Sequence, residues 1–159
     1  MKLDKPSHGA TSEECAAKVM DTIPLVMRFI RKEMREHNAG FLSIPQLRSL
    51  AFINRNPGGS LSGLAEHLGV TSATASATIE RLVQRNLVQR EHHPQERRRI
   101  VLNLTDEGKY HLQQSLNHTR AQIADILNSL SAEEFAQIEQ GLTFLKNVFD
   151  QTEIHPPES

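Results

Sequence analysis

The sequence has 159 residues, 38% of them hydrophobic and 23% charged, with a formal net charge of −1, a composition typical of one globular domain. Aromatic residues make up only 4% of the chain, which argues against a surface that stacks the bases of single-stranded nucleic acid. No apolar run approaches the roughly 18 residues of a membrane span, and residues 1–12 lack the apolar stretch of a secretory signal. Because Cys15 is the only cysteine, an intramolecular disulfide and a cysteine-rich zinc site are excluded. We therefore expect a cytoplasmic protein with no membrane partner.

The charge is distributed unevenly along the chain. Residues 43–105 carry 8 basic and 4 acidic side chains, whereas residues 106–159 carry 3 basic and 9 acidic ones. A basic segment followed by an acidic one is typical of a module that faces nucleic acid on a scaffold that faces other partners.

The first predicted helix begins at Thr11-Ser12-Glu13-Glu14, a capping box in which a hydroxyl residue is followed three positions later by glutamate. Apolar residues then recur at steps of three and four, which predicts an amphipathic helix. Pro24 leaves two alternatives open, because the helix either kinks there or begins anew with Pro24 as its first residue. The helix is expected to close at Asn38-Ala39-Gly40, where Asn38 or Gly40 takes a positive φ.

Three further helices are predicted before the chain changes character. Ser43-Ile44-Pro45-Gln46 is a second capping box, and its helix stops before the turn Asn56-Pro57-Gly58-Gly59. The next helix is short and ends at Gly69, and Thr71 caps the one after it. Asn86 follows at a position where a left-handed residue closes a helix.

The hydrophobic period then changes from helical to alternating. Residues 87–91 and 100–104 predict two strands of a β-hairpin, joined by the polar loop 92–99. Thr105 caps a long helix, and Ser131-Ala132-Glu133-Glu134 is a third capping box that opens the last one. The predicted fold class is therefore mainly α with one small β-hairpin (α+β).

The segment from Leu64 to Thr71 has the pattern of a helix-turn-helix. The small Ala65 lets two helices cross closely, and Gly69 permits the tight turn between them. The second helix would then enter the major groove of DNA, where small residues approach base edges and arginines reach phosphates. The predicted contacts are Ser72, Ala73, Thr74, Ser76, Ala77, Arg81 and Arg85. Taken alone, the segment also fits a tight helical corner with a solvated face.

Arg97-Arg98-Arg99 lies at the tip of the predicted hairpin, a few residues after that helix. Adjacent guanidinium groups on a β-ribbon suit the narrow minor groove and its phosphates. A run of charge is more often a plain solvated face, but that alternative does not explain why the run follows a helix-turn-helix. His93 and Gln95, on the same loop, complete the predicted contacts of this wing.

Residues 43–105 resemble the MarR family of bacterial regulators, whose signature ends in a wing of the type Asp-Arg-Arg followed by a strand and Leu-Thr. The corresponding residues here are Glu96-Arg97-Arg98-Arg99-Ile100-Val101-Leu102-Asn103-Leu104-Thr105, then Glu107-Gly108. Two upstream segments also match, Leu64-Ala65-Glu66-His67-Leu68-Gly69-Val70 and Arg81-Leu82-Val83-Gln84-Arg85-Asn86-Leu87-Val88. With the flanking helices, the resemblance covers about residues 11–150.

The resemblance implies a winged helix-turn-helix over residues 43–105, flanked by dimerisation helices at 11–38 and 105–150. It also implies a triangular homodimer that binds double-stranded DNA at a pseudopalindrome near its own promoter. The residues themselves favour association, because the flanking helices carry apolar stripes that a self-sufficient winged unit leaves unburied. A flexible arm at 1–10 and a disordered tail at 151–159 are expected outside this domain.

The resemblance further implies that Arg98 enters the minor groove, while Arg97 and Glu96 brace the wing against the second helix of the motif or the backbone. Three positions depart from the family pattern. Glu96 replaces the usual Asp and lengthens the brace by one methylene, Asn86 replaces the usual Gly, and Ala77 occupies a position that is often basic or polar. The last departure shifts the expected readout toward DNA shape and the wing.

The leading functional hypothesis is a ligand-responsive repressor without cofactor or metal. By family analogy, a small aromatic or amphipathic effector binds between the dimerisation helices and the winged domain. An enzyme is not expected, because no nucleophile–base pair, paired carboxylates or Gly-rich phosphate loop stands out, and the eight histidines form no short metal-ligand motif. Two alternatives stay open: a winged helix that binds an acidic protein partner, and an oxidant-sensing repressor that uses Cys15.

Overall fold

The computed structural model describes Gly9 and residues 11–153. In these residues the elements follow in the order α1 (Ser12–His37), α2 (Ile44–Arg55), α3 (Leu61–Leu68), α4 (Ser72–Gln84), β1 (Val88–His92), β2 (Ile100–Leu104), α5 (Asp106–Leu127) and α6 (Ala132–Glu153). The prediction of a mainly α fold with one small hairpin is confirmed. The chain divides into two compact units, one ending at Thr119 and the other beginning at Arg120.

All three predicted capping boxes form at the starts of helices. In each, the hydroxyl oxygen of the cap accepts a bond from the backbone N–H three residues later, and the side chain of that later residue accepts from the N–H of the cap. The six N···O distances lie between 2.9 and 3.3 Å, in the pairs Thr11–Glu14, Ser43–Gln46 and Ser131–Glu134. These bonds satisfy N–H groups that helix geometry leaves without intrahelical partners, so the boxes define where α1, α2 and α6 begin.

The long helix α1 is continuous through Pro24, so the alternative in which a helix begins anew at Pro24 is wrong. Pro24 has no N–H to donate to the carbonyl of Met20, and the helix continues without that bond. At its end Asn38 caps the helix with a φ of −103°, and Gly40 takes the positive φ of 77°. Asn86 also has a positive φ, 60°, in agreement with its predicted place at the end of a helix.

The hydrophobic core of the first unit is built from α2, α3, α4, the hairpin and Leu112 of α5. Its fully buried side chains are Leu50, Ile53, Leu64, Ile79, Leu82, Leu87 and Leu102. The strands β1 and β2 pair antiparallel, with Val88 opposite Leu104 and His92 opposite Ile100. The first strand begins one residue later than predicted, because the N–H of Leu87 donates to the Leu82 carbonyl at 2.9 Å and closes α4.

The turn between α2 and α3 pairs with the other edge of β2. The Gly58 N–H donates to the Leu102 carbonyl, and the Leu102 N–H donates to the Gly59 carbonyl, both at 3.0 Å. The Asn103 side-chain oxygen accepts a further bond from the Gly58 N–H at 2.8 Å. The strand β2 is therefore hydrogen-bonded along both edges, to β1 on one side and to this turn on the other. The Gly-rich sequence of the turn predicted only a chain reversal.

The start of α5 is locked against the end of α4. The Thr105 hydroxyl donates to the Asn86 carbonyl at 2.6 Å and accepts from the Gly108 N–H at 2.9 Å. The Thr105 N–H donates to the Leu87 carbonyl at 3.1 Å. A Cβ added at Gly108 would lie 2.1 Å from that carbonyl oxygen, so only glycine fits between the two backbones.

We expect Gly108→Ala to destabilise the protein, because the added methyl overlaps the Leu87 carbonyl and the two backbones must separate. Overpacking of this kind costs about 1–3 kcal/mol, which corresponds to a fall in Tm of roughly 3–10 °C for a chain of this size. Gly141→Ala is the matched control, since a Cβ at Gly141 in α6 meets nothing within 4 Å. Thermal unfolding of both variants by circular dichroism checks this, and equal Tm values would contradict it.

The second unit comprises the part of α5 from Arg120 onward and α6. Large apolar side chains of α6 remain exposed, among them Leu142, Phe144 and Phe149. The helix continues to Glu153, so residues 151–153 are helical and the predicted tail begins too early. Residues 154–159 of that tail, and the predicted arm apart from Gly9, lie outside the described residues. None of the described helices has the length and apolar character needed to cross a bilayer.

Candidate nucleic-acid interface

The turn between α3 and α4 has the geometry of a helix-turn-helix. Gly69 takes a φ of 69°, and the Val70 N–H donates to the Ala65 carbonyl at 3.1 Å to close α3. Ala65 is buried, so the close crossing of the two helices accommodates no bulky side chain at that point. Thr71 then caps α4 by accepting from the Thr74 N–H at 3.2 Å.

The helix α4 has one buried face and one face of small polar residues. Ala75, Ile79 and Leu82 are fully buried against the core. The predicted contacts Ser72, Ala73, Thr74, Ala77 and Arg81 are exposed, and Ser76 is half-buried. Within the described residues the hydroxyls of Ser72 and Ser76 and the guanidinium of Arg81 form no hydrogen bond or ion pair. The predicted face is therefore presented to solvent with free donors.

The wing, formed by β1, β2 and the loop 93–99, carries its three arginines at the tip. Arg97, Arg98 and Arg99 are all exposed, and none forms an ion pair with any residue that the structure describes. The loop closes through two backbone bonds of 2.8 Å, from His93 N–H to the Arg99 carbonyl and from Arg99 N–H to the Glu96 carbonyl. A compact cationic tip that lacks an acidic partner suits a polyanion such as the DNA backbone.

The side chain that organises the wing tip is His93, not Glu96. The His93 Nδ1 accepts bonds from the N–H groups of Gln95 and Glu96, both at 3.2 Å. The Glu96 carboxylate makes no hydrogen bond or ion pair with another described residue, so the predicted brace is absent from this structure. His93 and Gln95 were predicted as DNA contacts; the structure gives His93 a structural role in the loop and leaves the Gln95 side chain exposed.

Arg85, predicted as a phosphate contact at the end of α4, already has protein partners. Its guanidinium lies 4.2 Å from the centre of the Phe41 ring, and its Nη1 donates to the Phe41 carbonyl oxygen. Phe41 lies in the turn between α1 and α2, a segment in which the sequence signalled no functional residue.

A cavity of about 310 Å³ opens between α1, α2 and α5 within the first unit. Most of its wall is apolar and includes Met27, Ile30, Met34, Leu47, Ala51, Leu112 and Leu116. Three arginines, Arg31, Arg48 and Arg55, and His67 also line it. Sequence patterns did not place this cavity, because the apolar residues that line it resemble ordinary core positions of amphipathic helices.

The sequence also offered Cys15 and the histidines as candidate residues. Cys15 is exposed near the start of α1. The His37 and His118 rings stack with centroids 4.5 Å apart, and His118 Nε2 lies 3.5 Å from a Glu33 carboxylate oxygen. No group of three potential metal ligands gathers anywhere in the described part of the chain.

The winged lobe matches a known family model, described as the MarR family, over residues 42–100. The HTH-type transcriptional repressor NicR of Pseudomonas putida is 32% identical over 142 residues, which cover 84% of this chain and 87% of NicR. The HTH-type transcriptional repressor MdtR of Bacillus subtilis is 35% identical over 92 residues, which cover 58% of this chain and 59% of MdtR. The chain thus matches less than two thirds of MdtR but most of NicR.

Solved structures share the fold of this chain. Rv1404 from Mycobacterium tuberculosis has a TM-score of 0.71 at 23% identity, and the match covers 96% of this chain and 100% of Rv1404. Streptococcus pneumoniae FabT, crystallised in complex with DNA, has a TM-score of 0.63 at 21% identity, and the match covers 89% of this chain and 99% of FabT. At these identities the likeness concerns the fold.

Proposed function

Since this chain belongs to the MarR family of transcriptional regulators, we propose that it is a repressor that binds a pseudopalindromic double-stranded DNA operator as a homodimer. A small amphipathic effector releases it from the operator. One observation carries the proposal: the same lobe presents the small-residue face of α4 and three wing arginines that have no acidic partner among the described residues. Both relatives named above are repressors, which supports the direction of regulation.

The two surfaces of the winged lobe suit two grooves of DNA. A major groove about 12 Å wide admits α4, and its small side chains let the helix approach base edges closely. The wing arginines suit the narrow, electronegative minor groove and the flanking phosphates. Because α4 presents few long polar side chains, sequence preference comes from groove shape and from the spacing of two lobes as much as from base contacts.

The homodimer is supported by apolar surface that the chain leaves exposed. In α1, Met20 is 74% exposed and Leu25 57% exposed; in α6, Leu142 is 57% exposed and Phe149 55% exposed. Large apolar side chains that remain exposed on each of the two units in this way are typical of an interface. Two-fold pairing buries the same patch on both copies and presents two α4 helices about one DNA turn apart.

The effector site is the cavity between α1, α2 and α5. Its volume of about 310 Å³ falls within the range of small-ligand pockets. An apolar wall accepts an aromatic or aliphatic body, and Arg31, Arg48 and Arg55 provide cationic donors for a carboxylate. The effector class is therefore a small amphipathic anion.

The DNA-binding part of the proposal is tested by letting the purified protein select duplexes from a random-sequence pool. We expect enrichment of an inverted repeat, and an affinity that falls by about 10³-fold or more when salt rises from about 50 to 200 mM. A protein that enriches no duplex, or binds with no dependence on salt, is not an operator-binding regulator. Such a result would favour the alternative in which the arginines bind an acidic protein.

We expect the double substitution Arg31→Gln and Arg55→Gln to weaken the response to an aromatic carboxylate such as naphthoate by at least about tenfold, because charge-assisted bonds contribute roughly 1.5–3 kcal/mol. The measurement is the naphthoate concentration that releases half of a fluorescent selected duplex. Arg28→Gln with Arg35→Gln is the matched control, since these α1 residues do not line the cavity. Equal loss in both double variants, or none in either, would contradict the assignment of this cavity.

A further inference from the structure

Arg85, which directly follows α4, is held by the turn between α1 and α2. Its guanidinium stacks over the Phe41 ring at 4.2 Å and donates to the Phe41 carbonyl. Phe41 precedes Arg85 by 44 positions in the chain, and it lies in the turn between α1 and α2. A guanidinium on an aromatic face with a carbonyl at its edge is a directional contact, so it fixes position as well as adding attraction.

The turn that holds Arg85 is itself anchored to α5. Asn38, at the end of α1, is buried, and its side-chain oxygen accepts a bond from the Ser115 hydroxyl at 3.1 Å. The Asn38 side-chain nitrogen donates to the Met34 carbonyl at 2.7 Å, and its own carbonyl accepts from the Phe41 N–H at 2.8 Å. The Phe41 ring also lies against the His111 ring of α5, with centroids 4.6 Å apart. The turn therefore connects the end of α4 to α1 and α5.

The predicted DNA-facing residues lie at the opposite end of α4. Arg85 lies thirteen positions after Ser72, which is about 20 Å along a helix at 1.5 Å per residue. A helix of this length acts as a lever, so a tilt of about 5° at the Arg85 end moves the Ser72 end by roughly 1.7 Å. Displacements of that size decide whether small side chains such as Ser and Ala reach base edges at all.

We propose that Arg85 is a positioning residue, whose contact with Phe41 sets the angle at which α4 enters the major groove, and that it does not act as a phosphate contact. The proposal rests on the proposed operator binding and refines one of its predicted contacts. The guanidinium has one face covered by an aromatic ring and one N–H committed to a carbonyl, whereas the Arg81 guanidinium, one turn earlier, has no hydrogen bond or ion pair in the described residues. Arg81 within α4 and Arg85 directly after it therefore have different roles.

The test compares four proteins, Arg85→Ala, Phe41→Ala, the double variant and Arg81→Ala, on the duplex that the wild type selects and on a mixed-sequence duplex. Phe41→Ala changes no charge, so a phosphate role for Arg85 predicts wild-type affinity for it. We expect Phe41→Ala and Arg85→Ala each to weaken binding to the selected duplex about 5- to 20-fold, and the double variant to be no weaker than the worse single variant. Phe41→Ala is expected to leave affinity for the mixed-sequence duplex unchanged.

The salt dependence separates the two roles further. Loss of one phosphate contact per protomer lowers the slope of log K against log salt by about 1.8 for a dimer, and we expect this for Arg81→Ala but not for Arg85→Ala. Phe41→Leu, which keeps an apolar side chain, replaces Phe41→Ala if the Tm of the latter falls below the assay temperature. Wild-type affinity in the Phe41 variant, additive losses in the double variant, or a lowered slope for Arg85→Ala overturns the proposal. If the wild type itself selects no duplex, the proposed function fails first.

Discussion

Replacing Arg98 with alanine is expected to weaken binding to the selected duplex by about 10- to 100-fold, because a charge-assisted contact contributes roughly 1.5–3 kcal/mol and each 1.4 kcal/mol is tenfold. Arg98 lies at the centre of the exposed Arg97–Arg99 tip and forms no ion pair with a described residue, so the substitution breaks no ion pair there. A homodimer loses two such cations. The slope of log K against log salt should therefore fall by about 1.8. Fluorescence anisotropy titrations at several salt concentrations measure both quantities.

The matched control for this variant is Arg90→Ala. Arg90 is an exposed arginine of the same hairpin, but it lies in the middle of β1, opposite Leu102, and away from the tip. Arg90→Ala removes the same charge from the same hairpin as Arg98→Ala, so a purely non-specific effect of charge would be equal in the two variants. We expect the Arg90 variant to lose less than about threefold. Arg98→Lys should fall between them, since lysine keeps the charge but lacks the planar fork of donors. Equal losses for Arg98→Ala and Arg90→Ala would contradict insertion of the wing tip into the minor groove.

The second large effect is expected from placing acidic residues in the exposed apolar face of α6. Leu142→Glu with Phe149→Glu puts two carboxylates at positions seven residues apart, on the same face of the helix. Both side chains are more than half exposed in the single chain, and the proposed dimer buries them. An unpaired buried charge costs several kcal/mol, so the dimer dissociation constant should rise by roughly 100-fold or more. Sedimentation velocity at micromolar protein concentration is expected to show a monomer.

Operator binding is expected to fall together with dimerisation. A monomer binds one half-site only, whereas in the dimer the first lobe holds the second at a high effective concentration near the other half-site. Gln137→Glu with Gln140→Glu is the control, since these substitutions at exposed positions of α6 add the same charge on the face away from Leu142. Far-UV circular dichroism of each variant reports whether the helices are retained. A Leu142 and Phe149 double variant that stays dimeric and binds the selected duplex like the wild type would contradict the proposed interface.

The starts and ends of helices were predictable because they depend on neighbouring residues. Capping at Thr11, Ser43 and Ser131 joins atoms three residues apart, and a hydroxyl followed by a carboxylate or amide at that spacing specifies the interaction. The positive φ of Asn86 is likewise a property of one residue and the turn around it. At Pro24 the apolar helical pattern and the proline favour different structures, so the sequence left open whether the helix continues. Pro24 disfavours a helix interior, yet α1 continues through it.

For the candidate interface, the sequence predicted which side chains are exposed but not which contacts hold the wing loop. The arginine tip of the wing and the small-residue face of α4 follow from hydrophobic periodicity, which assigns these residues to solvent. The Glu96 carboxylate forms no hydrogen bond or ion pair within the described part of the chain, and the wing tip is held by His93, whose ring accepts from two backbone N–H groups. The resemblance identified the family correctly, but it did not determine which side chain holds the loop in this sequence.

The amino-acid sequence by itself determined the helix starts, the hairpin, the placement of three arginines at its tip and the family to which the chain belongs. Only the tertiary structure decided that Arg85 meets Phe41, that the Gly58–Gly59 turn pairs with Leu102, and that a cavity opens beside Met34 and Leu116. The physical reason is the distance along the chain. A capping box joins residues three positions apart and the hairpin pairs residues at most 16 positions apart. The three contacts above join residues more than forty positions apart, and packing of the whole core determines where they meet.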